Sequence, residues 1–130
     1  MHWRAILRLF GILLVLYSLA FLPSLGIALF QGDGLAGTFL ASLALTLGLG
    51  ALLWLPNWHQ QHEFSVRDGF LVVTVFWLVL GMVGALPFEI GLSWGVTDAV
   101  FESVSGFTTT GATVIGSGID QLPPSILYHR

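Results

Sequence analysis

The 130-residue sequence contains no cysteine and very few charged residues. Without cysteine there is no disulfide, no thiolate metal site and no cysteine nucleophile. Only 8% of the residues are charged, with four Lys/Arg and seven Asp/Glu, whereas a soluble domain carries roughly 25%. Because so few charges cannot cover a globule with water-facing groups, the composition excludes an ordinary soluble protein. The net charge of −3 gives no reason to expect a nucleic-acid partner.

Apolar residues are abundant instead, at 55% of the chain, and the mean hydropathy is +0.89. The charges separate three long uncharged segments of 22, 24 and 20 residues, which are Leu9–Phe30, Leu35–Trp58 and Gly69–Phe88. A helix of about 20 residues crosses the hydrocarbon core of a bilayer, which is roughly 30 Å thick. The sequence therefore predicts an all-α membrane protein with three transmembrane helices.

The first segment also admits a second interpretation, as a signal peptide. Arg4 and Arg8 precede the apolar run, and residues 18–20 (SLA) resemble a small-x-small cleavage site. The run continues well past that triplet and is longer than the roughly 7–15 apolar residues of a signal peptide. We therefore predict a span, in which neighbouring helices tolerate a kink at Pro23.

The distribution of charge predicts the orientation. Arg4, Arg8 and Arg67 all fall on one side if three helices alternate, so the positive-inside rule places the N-terminus and the connection 57–68 in the cytoplasm. Five acidic residues fall on the opposite side, where they would raise the local cation concentration. These are Asp33, Glu89, Asp98, Glu102 and Asp120, of which Asp33 and Asp120 are best interpreted as solvated loop residues.

The pattern changes after Glu89. Residues 91–96 are typical of a turn, and Thr97 is predicted as a helix N-cap with Asp98 in the first turn. A helix over Asp98–Ser105, ended by Gly106, would rise only about 12 Å, so it can enter a membrane but cannot cross it.

A threonine-rich segment, Phe107–Val114, follows this half-helix and contains Gly111. Non-helical backbone at membrane depth is tolerated only where it is buried in protein or lines an aqueous cavity. A half-helix followed by a Thr/Gly segment suits a cation filter, because carbonyl oxygens can replace the hydration shell of an ion. On spacing alone, three interpretations stay open: a re-entrant pore loop, a surface loop packed on the outer face, and a poorly formed fourth span.

Residues 98–113 (DAVFESVSGFTTTGAT) resemble the first pore-helix-and-filter segment of the Trk/Ktr/HKT potassium transporters. Residues 67–71 (RDGFL), 86–88 (LPF) and 122–123 (LP) resemble the same family, so the likeness covers nearly the whole chain. The resemblance implies four non-identical helix–pore-loop–helix units around one ion path, with two extra N-terminal helices in the Trk branch.

Mapped onto this chain, the resemblance implies a peripheral two-helix region over residues 1–62 and an incomplete first pore unit over 63–130. That unit would hold an outer helix (69–88), a pore half-helix (98–105) and a filter strand (108–112), without its second helix. We therefore expect an N-terminal part of a longer transporter, which does not conduct by itself.

The resemblance also implies the site residues. Main-chain carbonyls of Thr109 and Thr110 are expected to hold potassium, and Gly111 to permit the geometry. Thr108 and Ala112 are weaker filter candidates. Glu102 is interpreted either as a filter support that bonds nearby backbone groups or as a charge at the outer mouth.

The function expected from the resemblance is potassium uptake across the bacterial inner membrane, with potassium as the transported ion and no cofactor. The expected partners are membrane lipid, a second copy of the full-length subunit and a cytosolic nucleotide-binding Trk regulatory subunit. No nucleophile–base pair or phosphate-binding loop supports an enzyme. The alternative is a non-conducting membrane anchor or assembly module whose threonine-rich loop packs against a partner.

Two further patterns have simpler interpretations. His59 and His62, followed by Glu63, could suggest a metal pair, but without a third organised ligand they are interpreted as loop residues. Gly81 and Ala85 form a small-x-x-x-small pair, which predicts a close helix–helix approach.

Overall fold

The computed structural model describes residues 3–32, 34–59, 63–116 and 121–130. These residues form seven α-helices and a short 3-10 helix, and no strand occurs within the described ranges. The prediction of an all-α protein is confirmed. In chain order the helices are α1 (Trp3–Ser18), α2 (Phe21–Gln31), α3 (Ala36–Trp54) with the 3-10 helix Leu55–Asn57, α4 (Val66–Gly84), α5 (Leu86–Leu92), α6 (Val96–Phe107) and α7 (Pro124–His129).

Three helical stretches are long and apolar enough to cross a membrane, as predicted. They cover Trp3–Gln31, Ala36–Asn57 and Val66–Leu92, with 29, 22 and 27 residues. Large apolar side chains lie on their outer surfaces, such as Phe30 at 93% and Phe70 at 73% exposure. Apolar surface on this scale would aggregate in water but is compatible with lipid.

The first span is two helices and not the single helix Leu9–Phe30 predicted above. The chain turns at Leu19 and Ala20, where backbone hydrogen bonds run from Leu19 N to Leu16 O (3.2 Å) and from Ala20 N to Tyr17 O (2.8 Å). Pro23 lies four residues after Leu19. A proline removes the bond to the carbonyl four residues earlier and its ring clashes with that carbonyl, so the helix is interrupted there.

The third span begins at Val66 and not at Gly69, because the charge of Asp68 does not stop the helix. The Ser65 hydroxyl accepts from Asp68 N (3.3 Å), and the Asp68 carboxylate accepts from Ser65 N (3.2 Å). This reciprocal capping box satisfies two N–H groups at the helix start. Asp68 is thereby buried, at 4% exposure, within the first turn.

The same span is broken after Gly84 by Pro87, which lies in the first turn of α5. α5 then continues to Leu92, so the turn predicted over residues 91–96 is shorter than expected. Ser93 ends α5 with a φ of 55° in the left-handed region. The Trp94 ring stacks on Phe88 with 5.3 Å between ring centroids, which fixes the chain just before α6.

Close backbone approach brings α1 and α3 together. A Cβ atom added to Gly11 would lie 2.6 Å from the Gly50 carbonyl oxygen, and one added to Gly50 would lie 2.9 Å from the Gly11 carbonyl oxygen. Small residues at such crossings are how membrane helices gain van der Waals contact, since lipid supplies no hydrophobic force between helices.

An aromatic cluster joins the first two spans to the rest of the molecule. Phe21, Phe39 and Phe88 are fully buried, and their ring centroids lie 5.4, 5.6 and 5.6 Å from that of His129. The His129 Nε2 atom lies 2.8 Å from the Gly84 carbonyl oxygen at the end of α4. Helices α2, α3, α4, α5 and α7 therefore meet around one imidazole ring.

Candidate functional site

Helix α6 is a half-helix. Its twelve residues, Val96–Phe107, rise about 18 Å, which is well short of a roughly 30 Å hydrocarbon core. Three interpretations were left open for this stretch. The described residues do not form a fourth span, so that interpretation is excluded.

The ends of α6 differ from the prediction. Gly95 and not Thr97 is the N-cap, so Thr97 and Asp98 both lie in the first turn, and the last helical residue is Phe107 and not Ser105. The stacking of Trp94 on Phe88 explains the early start, because it holds the chain immediately before Gly95. Gly106 does not end the helix.

Packing against α4 positions the half-helix. A Cβ atom on Gly81 would lie 2.7 Å from Val104 Cγ2, and one on Gly84 would collide with Ser103 Oγ. The predicted close approach at Gly81 is thus confirmed. The Trp77 ring stacks on Phe107 with 5.3 Å between centroids and anchors the end of α6.

The backbone after α6 is neither helix nor strand. Thr109 has a φ of 58° and Gly111 a φ of 76°, and the residue between them is not in this region. A positive φ is uncommon for a β-branched residue and costs on the order of 1–3 kcal/mol. Glycine adopts it without steric penalty.

Hydrogen bonds to the last turn of α6 hold this backbone in place. Thr109 N donates to Gly106 O (3.1 Å) and Thr110 N donates to Ser105 O (3.0 Å). The Thr108 hydroxyl donates to Val104 O (2.6 Å) and lies 2.8 Å from the Thr110 hydroxyl. The five predicted filter residues, 108–112, therefore lie together in one exposed loop whose start is fixed to the half-helix.

Ser105 makes a contact that the sequence analysis did not predict. Its hydroxyl donates to the carbonyl oxygen of Ala112, and Ser105 is itself 6% exposed. This bond draws the chain after Gly111 back toward α6 and occupies one lone pair of the Ala112 carbonyl.

Glu102 is buried beneath the far end of the loop, at 1% exposure. The Thr113 hydroxyl lies 3.0 and 2.9 Å from its two carboxylate oxygens, and Val114 N donates to Oε2 (3.2 Å). Ile115 N in turn donates to the Thr113 hydroxyl (3.0 Å). The carboxylate thus bonds the chain one to two residues beyond the predicted filter.

Arg130 makes a second contact that was not predicted from the sequence, with Glu102. Its Nε donates to Glu102 Oε1 in an ion pair whose carboxylate is buried and whose arginine side chain is partly exposed. The sequence shows only that Arg130 is the one Lys or Arg after Arg67. That Glu102 is buried, and so requires a charged or hydrogen-bonding partner, is seen only in the fold.

Two cavities of different character are lined in part by the loop. A cavity of about 210 Å³ lies behind it, lined by Glu102, Ser105, Gly106, Thr109, Gly111 and Arg130. An open apolar groove of about 690 Å³ lies on another side, lined by α4 and α6 together with Thr108, Thr110 and Ala112.

The other histidine and acidic residues singled out in the sequence do not form a metal site among the described residues. Within the described ranges no group of three His, Asp or Glu side chains could hold a metal ion. His62, Asp33 and Asp120 lie outside the described residues.

Three apolar spans and a half-helix that ends in a threonine–glycine loop define a polytopic membrane protein. Residues 36–130 match the family model TrkH, described as a cation transport protein. The chain belongs to this family.

Curated relatives agree with this assignment. The Trk system potassium uptake protein TrkH of Halomonas elongata is 50% identical over all of this chain. The TrkH protein of Escherichia coli is 47% identical, and TrkG of Escherichia coli is 35% identical over 99% of the chain. The chain spans 27% of the length of each of these relatives.

A solved structure has the same fold. The crystal structure of the potassium transporter TrkH from Vibrio parahaemolyticus superposes with a TM-score of 0.92 at 46% sequence identity. The match covers 99% of this chain and 28% of that one.

Proposed function

We propose that this chain contributes the first pore unit of a potassium uptake transporter. The observation that carries the proposal is the half-helix α6, which ends in a loop with positive φ at Thr109 and Gly111. Family membership and the potassium transporters among the relatives support it.

In this proposal the carbonyl oxygens of Thr109 and Thr110 coordinate potassium, with Gly111 permitting the geometry and Thr108 as a further ligand. Such oxygens replace the hydration shell of the ion. Ala112 is a poorer ligand, because its carbonyl already accepts from Ser105. Glu102 supports the loop from behind through Thr113 and Val114. One loop supplies only part of the ring that surrounds an ion, so transport requires further units.

We place the protein in the bacterial inner membrane with its N-terminus in the cytoplasm, on the positions of Arg4, Arg8 and Arg67. By analogy with Trk-type systems, the full-length subunit forms a homodimer and binds a cytosolic nucleotide-binding regulatory subunit. Residues 1–62 act as a peripheral region beside the pore unit, and no enzymatic step is involved.

Growth tests the proposal. A full-length gene containing this chain, expressed in a bacterium without its own potassium uptake systems, is expected to restore growth at low external potassium and to drive saturable rubidium-86 uptake. A matched gene with loop residues 108–111 replaced by alanine should reach the membrane without restoring uptake. If both genes behave alike, with no uptake in either, the chain is an anchor or assembly module and the proposal is wrong.

A further inference from the structure

The ion pair between Arg130 and Glu102 joins two distant parts of the chain behind the loop. The two residues are 28 positions apart, and their side chains are 25% and 1% exposed. Burying a carboxylate is unfavourable unless it is paired and hydrogen-bonded, and removing one partner of such a pair is strongly destabilising. Glu102 therefore depends on Arg130 for charge compensation, while Thr113 and Val114 complete its hydrogen bonds.

The fold holds Arg130 at this position from two sides. α7 packs against α2, and Ile126 is fully buried at its centre. The Arg130 carbonyl oxygen approaches α6 so closely that a Cβ atom on Gly106 would lie 2.5 Å from it. Gly106 was predicted to end the half-helix. Because it has no side chain, it instead leaves room for the backbone of Arg130.

The two ends of the loop are fixed in different ways. Its start is tied to the last turn of α6 through Ser105 and Gly106, whose carbonyls accept from Thr110 N and Thr109 N. Its far end is tied to α6 by two attachments, from the Ser105 hydroxyl to the Ala112 carbonyl oxygen and from Thr113 and Val114 to Glu102. Of all these attachments only the one to Glu102 depends on a charge, and that charge is balanced by Arg130.

We propose that Arg130 is a positioning residue for cation selection, which acts through Glu102 to fix the far end of the loop. The inference rests on the proposed function and extends it. Without Arg130, the unpaired carboxylate would recruit water or a proton, and Thr113 and Val114 would lose their fixed anchor. The spacing of the carbonyl oxygens at Thr109, Thr110 and Gly111 would then relax, and potassium would be distinguished less well from sodium.

The test uses a full-length transporter that contains this chain, with the variants Arg130→Gln, Arg130→Lys, Glu102→Gln and the double variant Arg130→Gln/Glu102→Gln. The exposed Arg4→Gln is the matched control, since it removes one positive charge at the start of α1. The measurements are the amount of protein in the membrane, KM and maximal rate for potassium, and the ratio of potassium to sodium uptake.

Arg130→Gln is expected to lower the potassium-to-sodium ratio by about tenfold or more, since hydrogen bonds to charged groups are among the strong ones. Arg130→Lys keeps the charge and should stay within about threefold of the wild-type ratio. The double variant should be no less selective than Glu102→Gln alone, because the effects of substituting two residues that act through one another do not add. Arg4→Gln should behave as wild type.

An unchanged ratio in Arg130→Gln, with uptake reduced only in proportion to membrane protein, would assign Arg130 a purely structural role and overturn the inference. Two other results would also overturn the inference. One is a loss of selectivity in the double variant equal to the product of the two single losses, and the other is a potassium-to-sodium ratio in Arg130→Lys as low as that in Arg130→Gln. If Arg130→Gln does not accumulate in the membrane, the double variant takes its place, because it leaves no unpaired buried charge. A wild-type potassium-to-sodium ratio in the double variant would then contradict the inference. If the wild-type protein moves no potassium, the proposed function itself fails.

Discussion

At the scale of single residues, the loop depends on two positions at which the backbone φ is positive. A residue with a side chain adopts this conformation only at an energetic cost. Thr109 and Gly111 both have positive φ, but the threonine is strained and the glycine is not. The strain at Thr109 is offset by bonds to the end of α6, including Thr109 N to Gly106 O. Gly111 relies on its lack of a Cβ, so a side chain there should disturb the loop directly.

We predict that Gly111→Ser, in a full-length transporter, lowers the ratio of potassium to sodium uptake by about tenfold. A side chain in the left-handed region costs roughly 1–2 kcal/mol, and about 1.4 kcal/mol corresponds to a factor of ten. Flux of both ions in membrane vesicles measures the ratio.

Gly116→Ser is the matched control, since Gly116 lies in open space and its φ is not in the left-handed region. It should leave the ratio unchanged. Equal ratios in wild type and Gly111→Ser would show that Gly111 is not part of the proposed filter.

The residue scale is also where prediction from sequence was least complete. The three threonines before Gly111 left three interpretations of the loop open, and only the resemblance to the potassium transporters implied a filter segment. Arg130 was not identified, because its partner lies 28 residues away and only the packing of α7 brings the two together. Ser105 was missed for the same reason, since its bond to Ala112 requires the chain to turn back on α6.

At the scale of helices, prolines determine where the spans are interrupted. Pro23 and Pro87 each lie shortly after a break, at residues 19–20 and at Ala85. The sequence predicted the spans from the distances between charges, and this placed their ends several residues away from those observed. Asp68 shows the reason: a charge that closes a capping box belongs inside the helix and does not mark its boundary.

The crossing of α1 and α3 gives a prediction at this scale. Gly50→Leu should destabilise the protein by about 1–3 kcal/mol, because a side chain there meets Gly11 O, Val15 N and Val15 Cγ2, each at 2.9 Å. Thermal or denaturant unfolding in detergent micelles measures the loss.

Gly48→Leu provides the control, since it lies two residues earlier on α3 and a Cβ there has no neighbour within 4 Å. A similar loss in both variants would mean that helix propensity, and not the crossing, is responsible.

At the scale of the whole molecule, α7 ties the first two spans to the half-helix. His129 lies among Phe21, Phe39 and Phe88, while the next residue, Arg130, pairs with Glu102. The packing of the first two spans and the fixing of the loop therefore depend on the same short helix.

The absence of cysteine permits a test of orientation. In the 130-residue chain, a single cysteine replacing Gly95 is expected to react with a membrane-impermeant maleimide in intact cells. A cysteine replacing Glu63 should react only after permeabilisation, since we propose that the connection 57–68 lies in the cytoplasm. Both positions are exposed. The reverse pattern would show that the protein has the opposite orientation.

By itself the sequence determined that this is a membrane protein with three spans, a half-helix too short to cross and a threonine–glycine loop after it. These properties follow from composition, from distances between charges and from local conformational preferences, which act over a few neighbouring residues. The tertiary structure alone decided that Gly81 and Gly84 seat α6 on α4, and that Glu102 is buried against Thr113, Val114 and Arg130. Such contacts join residues far apart in sequence, so they exist only once the helices have packed.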